Sequence, residues 1–61
     1  MDFYQKKKLA AQTVDKMYEQ NLPLVQIYFL IESTYGLSDR FVNKRIEKIV
    51  EIKRLQNASL S

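Results

Sequence analysis

The chain has 61 residues, ten Lys and Arg against seven Asp and Glu for a net charge of +3, and neither cysteine nor histidine. So short a chain forms one domain at most, with a core too small to be comfortable and no disulfide to staple it. The missing residue types remove thiolate and imidazole nucleophiles, the commonest zinc ligands and the usual general base, so neither an enzyme nor a metal or cofactor site is expected.

Glu47 and Glu51, two carboxylates four apart with no other ligand type nearby, are too poor a set to change that. No apolar run approaches the ~20 residues of a membrane span, and the opening Met1-Asp2-Phe3-Tyr4 lacks the basic and then apolar order of a secretion signal. A cytoplasmic protein without a membrane partner is expected. One glycine, one proline and no repeat or low-complexity segment predict nearly continuous helix. The fold class is all-α: a small three-helix domain containing a helix-turn-helix motif and an extended C-terminal helix.

The first helix is predicted over residues 3–20, where Phe3, Ala10, Ala11, Val14, Met17 and Tyr18 fall on one side of a helical wheel. Lys7 falls on that side too, tolerable because its stem can lie along apolar surface while the ammonium reaches water. Leu9 points the opposite way, among Lys6, Lys8 and Lys16, either as a solitary exposed leucine or as a contact for a partner.

Asn21-Leu22-Pro23 forms the first corner, since proline pushes its predecessor out of helical conformation yet suits the first turn of a new helix. The second helix is predicted over 23–34. Leu24, Ile27, Tyr28, Ile31 and Tyr35 make its main face, while Phe29 and Leu30 lie on other sides and leave it apolar nearly all round. A strand over Ile27 to Ile31 would suit the local composition, but there is no hairpin turn or second strand to pair with it.

Gly36, the single glycine, can take the positive φ that ends a helix cheaply. Two residues on, Ser38 can cap a new helix with its side chain, and Asp39 places negative charge at the positive end of the helix dipole. With only Gly36 and Leu37 between stop and start, the two helices must cross steeply with Leu37 in the corner. The third helix is predicted over 38–56, with Phe41, Val42, Ile46, Ile49 and Ile52 facing one way and Arg40, Asn43, Lys44, Glu47, Glu51 and Arg54 the other. Net charge is +1 over residues 1–22, −1 over 23–37 and +3 over 38–61, so a polyanion would meet the last helix first.

The run Leu24 to Ile46, with its glycine turn, its apolar Leu37, its polar cap and the later Val42-Asn43-Lys44, resembles the helix-turn-helix of bacterial and phage repressors of the Cro type. The resemblance covers about a third of the chain. It implies that the first turns of the third helix enter the major groove of double-stranded DNA, with Ser38, Asp39, Arg40, Asn43 and Lys44 in the positions of base readers. Lys48, further along the same helix, joins the DNA-binding set. Ile31, Tyr35, Leu37 and Val42 correspond to internal packing. The chemistry agrees independently, because Arg and Lys donate to guanine O6 and N7 and Asn can pair with adenine. Lys6, Lys7 and Lys8 are candidates for phosphate contacts. A small regulator of transcription, replication or copy number is implied, for instance a repressor, with no small-molecule substrate or effector.

Two positions depart from the family. Glu32 stands where a small residue allows close crossing, and Arg45 stands where a small or apolar residue is usual near the middle of the recognition helix. Their opposite charges predict an ion pair across the corner, the alternative being two unconnected surface charges. Glu47 and Glu51 dilute the basic face, and the pairs Lys44 with Glu47 and Lys48 with Glu51 would support an exposed helix without any ligand.

A single small reading helix contacts few base pairs, so a homodimer reading two half-sites about one helical turn, ~34 Å, apart is expected. Leu9, Phe29, Leu30, Val50, Ile52 and Leu55 offer apolar surface for it, with the far end of the third helix as the expected interface. The same residues would equally serve a different role, a helical module that inhibits or adapts another protein without touching DNA.

Overall fold

The computed structural model describes residues 2–60, which form three helices, α1 (Phe3–Glu19), α2 (Leu24–Tyr35) and α3 (Asp39–Leu60). Among the described residues there is no strand, so the alternative at Ile27 to Ile31 is excluded. These two isoleucines are spaced to project from one side of α2, and both are fully buried. Among the described residues no helix is long and apolar enough to cross a membrane.

Each boundary has a local cause. The Asp2 side chain accepts a hydrogen bond from the Gln5 N–H at 2.8 Å and so caps α1. After α1, Asn21 takes a positive φ of 61°, a conformation asparagine tolerates better than other side chains, and the chain turns through Leu22 and Pro23. The Pro23 carbonyl then accepts from the N–H groups of Gln26 and Ile27, which starts α2 without a side-chain cap. Gly36 ends α2 in the left-handed region at φ 69° and ψ 25°, its N–H donating to the Glu32 carbonyl at 2.9 Å.

At the start of α3 the expected side-chain cap is replaced by a backbone one. The Ser38 carbonyl, rather than its hydroxyl, accepts from the Phe41 N–H at 3.0 Å, and the side chain is exposed. The acidic residue of the first turn is Asp39, as the dipole argument requires.

The core consists of Ala10, Val14 and Met17 from α1, Ile27 and Ile31 from α2, and Val42 from α3. Leu22, Tyr28, Tyr35, Leu37, Phe41 and Ile46 pack around it. Full burial of each branched side chain contributes roughly 1.5–3 kcal/mol, so these few residues hold the three helices together. Phe3 departs from its expected place on the inward side of α1: it is exposed, lining a shallow surface groove beside Leu37 and Phe41 rather than entering the core. Thr13 donates to the Leu9 carbonyl, so in its 3.0 Å contact with the Tyr35 hydroxyl the tyrosine is the donor, tying the end of α2 to the middle of α1.

The helix α3 outruns its support. Its 22 residues span about 33 Å at 1.5 Å per residue, most of the 40 Å long axis of the molecule. From Val50 to Ala58 every side chain is exposed, although Ile52, Lys53 and Gln56 still border a groove with Asp15, Tyr18 and Glu19 of α1.

Candidate nucleic-acid interface

The sequence places Gly36 and Leu37 between two helices, and the fold brings the first turns of α1 to the same corner. The result is a shallow groove lined by Phe3 and Lys7 from α1, Gly36, Leu37 and Ser38 from the turn, and Arg40, Phe41 and Lys44 from α3. Three cations from two helices border it, over an apolar floor of Phe3, Leu37 and Phe41. None of the residues lining it is acidic.

Lys7 holds its place through Phe3. The Lys7 ammonium lies 4.8 Å and that of Lys6 5.5 Å from the centre of the Phe3 ring, an attraction between a cation and the negative face of the ring. The exposed Phe3 therefore has a use that its wheel position concealed. Lys8 is exposed but does not line the groove.

All six residues expected to meet DNA on α3, namely Ser38, Asp39, Arg40, Asn43, Lys44 and Lys48, are exposed. Arg40, Lys44 and Lys48 recur every four residues and form one ridge of positive charge. Asp39 and Glu32 lie on the other side of the turn, bordering a second concavity with Gly36, Leu37, Ser38 and Arg40. Arg40 stands on the boundary between the two.

Asn43 is not a free amide. The Tyr28 hydroxyl, on α2, donates a hydrogen bond to its Oδ1 and leaves the amino group to point elsewhere. Neither spacing nor composition signals this contact, since the two residues are fifteen apart and meet only because α2 and α3 pack together.

The ion pair expected across the corner does not form. Arg45 instead turns to α1, where its Nε and Nη2 donate to Oδ1 and Oδ2 of Asp15 at 2.7 and 2.6 Å. Glu32 is exposed and borders the concavity at the turn, while Arg45 lies against α1. The hydrogen bond to Asp15 is the largest cause holding the Arg45 guanidinium above its ordinary pKa; partial burial opposes it and the charge of Asp15 adds to it. A bidentate pair of this kind fixes the rotation of α3 about its own axis, and so fixes which residues face outward.

The apolar residues expected to meet a partner are all exposed, and they come from all three helices. Leu9 sits on α1, Phe29 and Leu30 on α2, and Val50, Ile52 and Leu55 on α3. Val25, overlooked in the sequence, is 73% exposed and lies one turn before Phe29, itself 74% exposed. Among the described residues no cluster of acidic side chains is arranged to hold a metal ion.

No family model matches the chain, and neither a curated protein nor a solved structure matches it.

Proposed function

We propose that the chain binds double-stranded DNA as a helix-turn-helix protein of the kind its turn region resembles, with the start of α3 in the major groove. The observation that carries this reading is the groove in which Lys7 of α1 meets Arg40 and Lys44 of α3 without an acidic neighbour lining it. Cations gathered from separate helices onto one side of a reading helix suit a phosphate backbone, and phosphate contacts set register while base contacts set sequence. Arg40, Asn43 and Lys44 supply the base contacts, with Ser38 and Asp39 at the helix start and Lys48 and Lys7 on phosphates. Lys6 and Lys8 strengthen the field around the groove.

The protein acts as a small regulator of transcription, replication or copy number by occupying its site in the cytoplasm, as a homodimer and without a cofactor. Gel-shift titration against a library of genomic duplexes at two salt concentrations tests this. Binding that weakens steeply with salt and is lost in the Arg40→Ala, Lys44→Ala double variant, with helicity retained, is the expected result. Binding that survives the double variant removes α3 as the reader.

A second reading, a helical module that grips another protein, is supported by Val25 and Phe29, exposed one turn apart on the outward side of α2. It requires a stable heteromeric complex lost on Phe29→Ser and no salt-dependent shift of any duplex.

A further inference from the structure

The exposed half of α3 carries a face whose members are Glu47, Val50, Glu51, Arg54, Leu55 and Ala58, at spacings of 3 and 4 that keep them on one side of a helix. All six are exposed, and a shallow trough along this face is lined by Ile46, Glu47, Val50, Glu51 and Arg54. The face lies opposite the inward stripe of buried Val42 and half-buried Arg45 and Ile49, so the body of the domain does not obstruct it.

Its order of residues has a property that the separate exposures do not reveal. When two copies of α3 run antiparallel about a point between Ile52 and Lys53, Val50 meets Leu55 of the second copy, Glu51 meets its Arg54, and Glu47 meets its Ala58. Every member of the face meets another member, as a two-fold interface demands. Leu55 of each copy then faces the trough of the other. A parallel pairing would set Glu51 on Glu51 and Arg54 on Arg54, and like charges in contact oppose association. Sliding the antiparallel pair by one turn would set Val50 against Glu51, placing a carboxylate on apolar surface.

We infer that the chain forms an antiparallel two-fold dimer through this face of α3, with paired Val50–Leu55 contacts and reciprocal Glu51–Arg54 ion pairs between copies.

Sedimentation equilibrium without DNA, with far-ultraviolet circular dichroism as the control for folding, tests the dimer on its own. The wild-type chain is expected to be dimeric at tens of micromolar. Glu51→Arg and Arg54→Glu should each weaken dimerisation at least about tenfold by facing like charges, and the double variant should restore it. A parallel dimer would respond little to either single change, so single variants that remain dimeric overturn the proposal, as does a monomeric wild type. A dimer that responds to charge reversal as expected but binds no duplex leaves the interface standing and removes the DNA-binding reading instead.

Discussion

Arg45 of α3 and Asp15 of α1 meet through two hydrogen bonds, Nε to Oδ1 at 2.7 Å and Nη2 to Oδ2 at 2.6 Å, across thirty residues of sequence. The pair is about one third exposed, so solvent screening limits its strength, while its bidentate geometry raises it above an ordinary surface ion pair. Because Val42 is the single α3 residue in the buried core among the described residues, the pair is a main determinant of how α3 is rotated against α1.

A double-mutant cycle with Asp15→Asn and Arg45→Met is therefore expected to return a coupling of about 1–2 kcal/mol in thermal or urea unfolding. In a domain this small, each kcal/mol moves Tm by about 4–8 °C. Glu32→Gln should leave Tm where it was. Since folding raises the Arg45 pKa, its contribution is present below the unfolded value and is lost only as pH rises through the folded one, beyond the range in which guanidinium normally titrates. Coupling that faded by about pH 10 would contradict this assignment.

The corner can be tested at Gly36. A Cβ there would meet nothing within 4 Å, so Gly36→Ala carries only the strain of a left-handed backbone at φ 69°. The expected destabilisation is about 1–2 kcal/mol by chemical denaturation, with a smaller loss for Gly36→Asn. Equal losses for the two would mean that space, rather than backbone conformation, selects glycine.

Tyr28 bears on specificity. Its hydroxyl holds the Asn43 amide in one orientation, so Tyr28→Phe frees the amide to turn over. The ring keeps its packing and stability should change by less than about 1 kcal/mol, because the hydrogen bond is exposed. Binding selection from randomised duplexes should then show weaker base preference at one position per half-site, with the others unaltered. A selection profile identical to wild type would detach Tyr28 from recognition.

Lys7 separates phosphate contact from base contact. Removing one phosphate-binding cation lowers the slope of log K against log salt by about 0.9 and weakens all sequences alike. Lys7→Ala should do this, and Phe3→Ala should do it in part by releasing the Lys7 ammonium from the ring. A change in base preference instead would assign Lys7 to the bases.

The helices themselves were legible in the residues. Pro23 and Gly36 are the only breakers of their kinds, and the buried Ala10, Val14, Met17, Ile27, Ile31 and Val42 all follow helical spacing, so local physics was enough to place α1, α2 and the start of α3 within a residue, whereas α3 runs on to Leu60, four residues past its expected end. The exposure of Arg40, Asn43, Lys44 and Lys48 was legible for the same reason, since a helix with one apolar side must present the other.

What the sequence alone determined, then, was where each helix runs and which side it buries, because periodicity and capping act within a few residues. Tertiary packing decided the partners across helices: Asp15 rather than Glu32 for Arg45, Tyr28 for Asn43, Lys7 beside Arg40 and Lys44, and Phe3 outside the core. A wheel gives the direction of a side chain from its own helix axis but not the rotation and offset of the neighbouring helix. An ion pair such as Asp15–Arg45 forms only where those two quantities bring the charges within reach.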